Sequence, residues 1–159
     1  MKLKEISNVP EIISNTSCLI ALDNIGRLQI LRDVYGQILV PQEVAREYGA
    51  ELPAEWINIV SVQNREYVRI LSLFVDPGEA STIALAIERP GSLMILDDGK
   101  ARSLADKLNL NFTGLLGVLL KAKQNGTVSS VAQIINELKS AGFRIADRVE
   151  QEVVRLAGE

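Results

Sequence analysis

Histidine is absent from this 159-residue sequence, and cysteine occurs once, at Cys18. Those absences exclude Ser-His and Cys-His nucleophilic catalysis, imidazole general bases and zinc sites built from Cys and His. Any metal bound here must be held by oxygen, and oxygen donors suit Mg²⁺ or Mn²⁺ rather than zinc or copper. Cys18 has no partner for an internal disulfide and reads as a small buried residue without a catalytic role. Long apolar runs are missing as well. Each is broken by a charge or a glycine well before the roughly 18 residues that would suggest a membrane span, and residues 1–5 (MKLKE) lack an apolar signal core. The expectation is a cytosolic protein with no membrane partner. An excess of positive charge is also lacking: 17 Lys and Arg stand against 20 Asp and Glu, the net charge is −3 and the pI is about 5.1. The mean field of the chain therefore does not attract nucleic acid. A local basic patch would have to come from Lys100, Arg102, Lys121 and Lys123, although such scattered cations are more often just a solvated face.

What the chain does have is an alternation of strand and helix patterns. With 47% hydrophobic residues in 17.4 kDa it can fill one core, which predicts a single domain over 1–159, with about 128–159 as a carboxy-terminal helical extension. The most informative segment is Leu93-Met94-Ile95-Leu96. Four consecutive apolar residues suit a strand covered on both faces, as in a parallel sheet. The run stops at Asp97-Asp98-Gly99 and enters a helical pattern, so two carboxylates emerge at the carboxyl end of a strand, the edge where open α/β sheets bind ligands. Glu11-Ile12-Ile13 ends similarly in Ser14-Asn15-Thr16-Ser17, and two such ends can face one metal site. Further strands are predicted at 37–40, 56–62 and 110–113. Helices are predicted within 19–35 with a break at Gly26, then at 41–48 and 65–74, next one opened by 76–79 with a buried stripe at Ala80, Ile83, Ala84 and Ile87, and then at 100–108, 115–124, 131–140 and 146–156.

Each acidic candidate also has a structural role open to it. Asp76-Pro77-Gly78-Glu79 has the spacing of a capping box, the preferred reading of Glu79 on local grounds. Asp98 fits a helix cap as well as a ligand. Glu43 and Glu47, four apart near a helix start, fit the helix dipole, and Asn15 and Thr16 fit helix caps. The apolar stripes Val131, Ile134, Ile135, Leu138 and Val149, Val153, Leu156 predict tail helices packed on the domain or on a second copy.

Taken together and in order, Ile13-Ser14-Asn15-Thr16-Ser17, Val40-Pro41-Gln42-Glu43-Val44-Ala45-Arg46-Glu47, Gly78-Glu79-Ala80-Ser81-Thr82-Ile83-Ala84-Leu85-Ala86, Leu96-Asp97-Asp98 and Thr113-Gly114-Leu115-Leu116-Gly117-Val118-Leu119-Leu120 resemble the PIN-domain family over nearly the whole chain. The closest likeness is to a prokaryotic PIN-like branch described as predicted nucleic-acid-binding proteins. The resemblance implies a three-layer α/β/α sandwich on a central, mainly parallel sheet. It also implies Mg²⁺ or Mn²⁺ held by Asn15, Glu47, Glu79 and Asp98, with Asp97 an adjacent catalytic candidate and Thr16, Ser17 and Thr113 as helpers. The implied activity is endoribonuclease cleavage of RNA, as in VapC-type toxins, with a cognate antitoxin and a homodimer as further expected partners. Asn15 departs from the pattern, because catalytic members usually carry Asp there. An amide oxygen can ligate Mg²⁺ but brings no negative charge. Two alternatives stand beside the nuclease: a catalytically impaired module that binds nucleic acid or protein, and a metal-dependent small-molecule phosphohydrolase.

Overall fold

The structure is a computed structural model and describes residues 9–49, 51–53 and 55–159; the reading of residues 1–5 lies outside them. In chain order the elements are β1 (Ile12–Ser14), α1 (Thr16–Asn24), α2 (Gln29–Tyr35), β2 (Ile38–Pro41), α3 (Gln42–Tyr48), β3 (Ile57–Val60) and α4 (Arg65–Leu71). They continue with α5 (Pro77–Glu88), β4 (Leu93–Ile95), α6 (Gly99–Lys107), β5 (Asn111–Thr113), α7 (Leu115–Gln124), α8 (Val131–Ser140) and α9 (Asp147–Leu156).

Among the described residues five strands form one sheet in the order β3-β2-β1-β4-β5, and every pairing is parallel. Ile13 sits opposite Leu39 on one side and Met94 on the other. From β1 the chain builds outward through β2 to β3, then returns to the other side of β1 for β4 and β5. The order thus reverses between β1 and β4, and at such a switch point the crevice at the carboxyl ends of the strands is the ligand-binding position of open α/β sheets.

Strands of three or four residues carry too few ladder bonds to stand alone, so packing on both faces has to hold them. Ile12, Ile38, Val40 and Ile95 join one core with helices α1, α2, α7 and α8. Ile13, Met94 and Leu96 join a second with α4, α5 and α6. These two cores on one sheet make the α/β/α layering. Each large side chain fully buried here contributes roughly 1.5–3 kcal/mol, which accounts for strand segments that read as continuous apolar runs.

The tail helices pack on this frame, α8 against α1 and α7 and α9 against α7 and α8. The stripe Val131, Ile134, Ile135, Leu138 is buried throughout. The expected α9 stripe holds only at Val153. Val149 and Leu156 are exposed, and the partly buried Val154 packs on the core beside Val153, so the contact face is rotated from the predicted one. Glu159 then turns back over the start of α8. Its carboxylate accepts hydrogen bonds from the Val131 and Ala132 backbone N–H groups and from the Ser130 hydroxyl. These donors at a helix amino terminus, with Lys123 beside them, hold its carboxyl down at about 2.

Candidate metal centre at the sheet edge

At the end of β1 the backbone of Asn15 is fixed by its N–H, which donates to the Ile95 carbonyl of β4 at 3.3 Å. Asn15 is buried, 2% exposed, and its Oδ1 caps α1 by accepting the Cys18 N–H at 3.2 Å. The next residue, Thr16, donates its hydroxyl to Oε2 of Glu47 at 2.7 Å. That bond joins the first turn of α1 to the last turn of α3 across 31 residues of sequence.

Glu47 is brought in over the start of α5. A Cβ on Gly78 would lie 2.5 Å from its Oε1 and 2.6 Å from its Oε2. The carboxylate therefore occupies space that any larger residue at position 78 would fill. Asp76, Pro77, Gly78 and Glu79 form the amino terminus of α5, with a complete capping box: Asp76 Oδ1 accepts the Glu79 N–H at 2.8 Å and Glu79 Oε2 accepts the Asp76 N–H at 3.3 Å. Asn15, Thr16, Ser17, Glu47, Asp76, Gly78 and Glu79 line a cavity of about 20 Å³, the room of about one water molecule.

The Glu79 carboxyl is pushed up to about 7. Burial is the largest cause, Asp76 follows, and Asp98 and Glu47 add smaller like-charge contributions. The capping-box reading and the site reading of Glu79 are thus both realised in one side chain, whose carboxyl caps a helix and feels the charges of three neighbouring acids.

Asp98 caps α6, with Oδ2 accepting the Ala101 N–H at 3.0 Å. Asp97 points elsewhere: its Oδ1 accepts the Leu115 N–H at 3.0 Å and so holds the start of α7. A Cβ on Gly114 would lie 2.6 Å from that oxygen, which is why this junction carries glycine. Burial raises the Asp97 carboxyl, with the Arg102 guanidinium acting in the other direction, and its Oδ2 is buried without a hydrogen-bond partner among the described residues. Thr113 lies opposite Ile95 in the sheet, and its hydroxyl donates to the Gly114 carbonyl at 3.4 Å.

The four predicted cations do not form one patch of free charge. Lys123 is committed to the tail, donating to the Ser129 carbonyl at 2.6 Å and to Glu159 at 3.3 Å, so its ammonium is already neutralised. Lys121 lies over the Tyr35 ring and Arg102 over the Phe112 ring, each at 5.2 Å. Lys100 is exposed in the first turn of α6. Glu43 pairs with Arg65 at 2.6 Å, outside the cavity. Asp76 and Gly78 are the residues that sequence reading did not assign to the cavity. The first was absorbed by its capping role, and only the long-range approach of Glu47 gives the second its purpose.

No group of three Asp, Glu, Cys or His side chains among the described residues is arranged to hold a metal ion. The oxygen-bearing side chains that meet at the cavity are the Asn15 amide and the carboxylates of Glu47, Asp76 and Glu79, while Asp98, expected with them, is absent from its lining. Oxygen donors fit Mg²⁺ or Mn²⁺. The elevated Glu79 carboxyl reports burial and crowding of like charge at this edge, which a bound cation would relieve, whereas the orphaned Oδ2 of Asp97 lies outside the cavity lining.

Comparison with known proteins gives one match. A family model described as a PIN domain covers residues 11–159. Neither a curated protein nor a solved structure matches the chain. The PIN domain is a nuclease-type fold whose members typically use divalent metals, in keeping with the all-parallel sheet and its acid-lined edge. From residue 11 to residue 159, the chain belongs to the PIN-domain family.

Proposed function

We propose that the protein is a metal-dependent endoribonuclease, with Asn15, Glu47, Glu79 and Asp98 holding Mg²⁺ or Mn²⁺ at the β1–β4 switch point. The observation that carries this reading is the cavity where the Asn15 end of β1, the Glu47 end of α3 and the Glu79 start of α5 meet. Phosphodiester hydrolysis needs an activated water and neutralisation of two developing negative charges, and hard cations held by oxygen supply both when bound. The protein's own contribution is placement. Thr16 orients Glu47 through its 2.7 Å hydrogen bond, Gly78 leaves room for that carboxylate, and the capping box fixes the backbone that carries Glu79. Asp97 acts as a positioning residue by tying the β4 end to α7. As the setting we propose a toxin of a toxin–antitoxin pair in the cytoplasm, a reading supported by the sequence resemblance.

A neutral amide at position 15 supports a second reading, a PIN domain that binds RNA or a protein partner with little hydrolysis. One assay separates the two. A mixed single-stranded RNA pool is incubated with the protein and Mn²⁺, with EDTA as the control. Asn15→Asp keeps the side-chain oxygen that caps α1 and adds one negative charge to the donor set. Cleavage that needs Mn²⁺ and rises severalfold in Asn15→Asp is the expected result. Wild type and variant both inactive, yet retaining RNA in a filter-binding assay, would hand the case to the binding module.

A further inference from the structure

One face of α1 links the acidic cavity to a second one. Ser17 lines both, while Ile20, Ala21 and Asn24, spaced three, four and seven residues along the helix, continue along the same side into a cavity of about 320 Å³. Its opposite wall is Leu138 of α8 with Ala141, Gly142 and Phe143 of the following turn. That turn is firmly held: the Phe143 N–H donates to the Leu138 carbonyl at 2.9 Å and the Gly142 N–H to the Lys139 carbonyl at 3.0 Å. Gly142 adopts φ +98°, a conformation that favours glycine.

The lining is apolar, with one aromatic side chain and two exposed polar side chains, Ser17 and Asn24. Ser17 to Asn24 is a rise of about 10 Å along the helix, a path that starts at the acidic cavity. Beyond Asn24 and Ala141 the surface opens into a groove that includes Gln133, Asn136, Ser140 and Glu137, whose carboxylate is paired with Arg27 at 2.6 Å. Arg144 is exposed immediately after Phe143.

We infer that this α1–α8 cavity is a base-binding subsite for single-stranded RNA, which seats one nucleobase against Phe143 when the neighbouring phosphodiester lies at the acidic cavity. The inference rests on the nucleic-acid reading above and adds the element that selects and orients the strand. A flat base gains stacking area from an aromatic side chain whatever its identity. An asparagine at the rim offers both a donor and an acceptor to a base edge. An apolar side chain of a partner protein would use the walls of this cavity but has no use for the carboxylate-lined continuation at Ser17.

The test is equilibrium binding of fluorescein-labelled single-stranded RNA, with Ca²⁺ replacing Mn²⁺ and strand integrity checked on a gel. The intact strand is compared with a set carrying one abasic nucleotide at each successive position. Wild type should lose roughly tenfold in affinity at one position of the set, within the range of base–aromatic stacking. Phe143→Leu should bind the intact strand roughly tenfold more weakly and show no such position. Asn24→Ala, at an exposed residue, should weaken binding in the same direction, and together with the position scan on wild type it carries the test if Phe143→Leu does not fold. RNA that binds equally well to all three proteins with no sensitive position overturns the subsite and leaves the nucleic-acid reading standing. The same pattern is expected if the cavity takes a protein side chain instead. Wild type that binds no RNA under any of these conditions overturns both.

Discussion

Glu79→Gln should lower Mn²⁺-dependent RNA cleavage by roughly a hundredfold or more, the usual cost where charge stabilisation dominates, while leaving the thermal midpoint unchanged or raised. Glutamine retains the oxygen that accepts the Asp76 N–H, so the capping box survives. What disappears is a carboxylate pushed up to about 7 by burial and by Asp76, Asp98 and Glu47. The sign of the stability effect follows from that shift. A carboxyl raised from 4.5 holds its proton more tightly in the folded chain, so wild-type stability declines as pH rises from about 4.5 to about 7. The variant lacks this decline. In EDTA, its midpoint minus that of wild type should therefore grow across the same window. Parallel melting curves at pH 4.5, 6 and 7.5 check this, and a difference that shrinks with rising pH would contradict the placement of Glu79.

Gly78→Ala should separate activity from stability in another way. The added Cβ would lie 2.5 Å from Glu47 Oε1, but Glu47 is an exposed, flexible side chain that can swing aside at little cost. Position 78 is helical, and replacing glycine there by alanine gains roughly 0.4–1 kcal/mol through the unfolded chain. The midpoint should hold or rise by a few degrees. Cleavage should fall on the order of a hundredfold, because a donor displaced by about 1 Å loses that much in a site that works by placement. If Gly78→Ala cleaves RNA like wild type, the position of Glu47 does not matter to the chemistry.

The sheet was legible in the sequence because covered parallel strands leave an unmistakable trace. Leu93 to Leu96 and the acids after it marked β4 and its edge, and Pro41, Gly49, Pro77 and Gly78 marked helix boundaries within a residue or two. The acidic positions were legible as separate helix caps, since capping is decided by neighbours three residues away. That they could share one site came from the order of the motifs, whereas the contacts of Thr16 with Glu47 and of Gly78 with Glu47, which bring Glu47 to the cavity, are encoded by no local pattern. For the same reason Lys123 read as a free cation when the fold ties it to Glu159, and Asp97 read as a companion of Asp98 when it holds the start of α7. The rotation of α9 that leaves Val149 and Leu156 exposed was hidden because Val153 belongs to both possible faces.

Whether the oxygen donors at the β1–β4 edge make a cation site is tested most directly by thermal unfolding of the EDTA-dialysed protein with increasing Mn²⁺. Metal at ten times its dissociation constant adds about 1.4 kcal/mol, roughly 3–6 °C for a chain of this size. Wild type should show a rise of that order by millimolar Mn²⁺, Asn15→Asp should reach it at lower concentration, and Glu79→Gln should need more. A midpoint that does not move up to millimolar Mn²⁺, in wild type and Asn15→Asp alike, would contradict the metal centre.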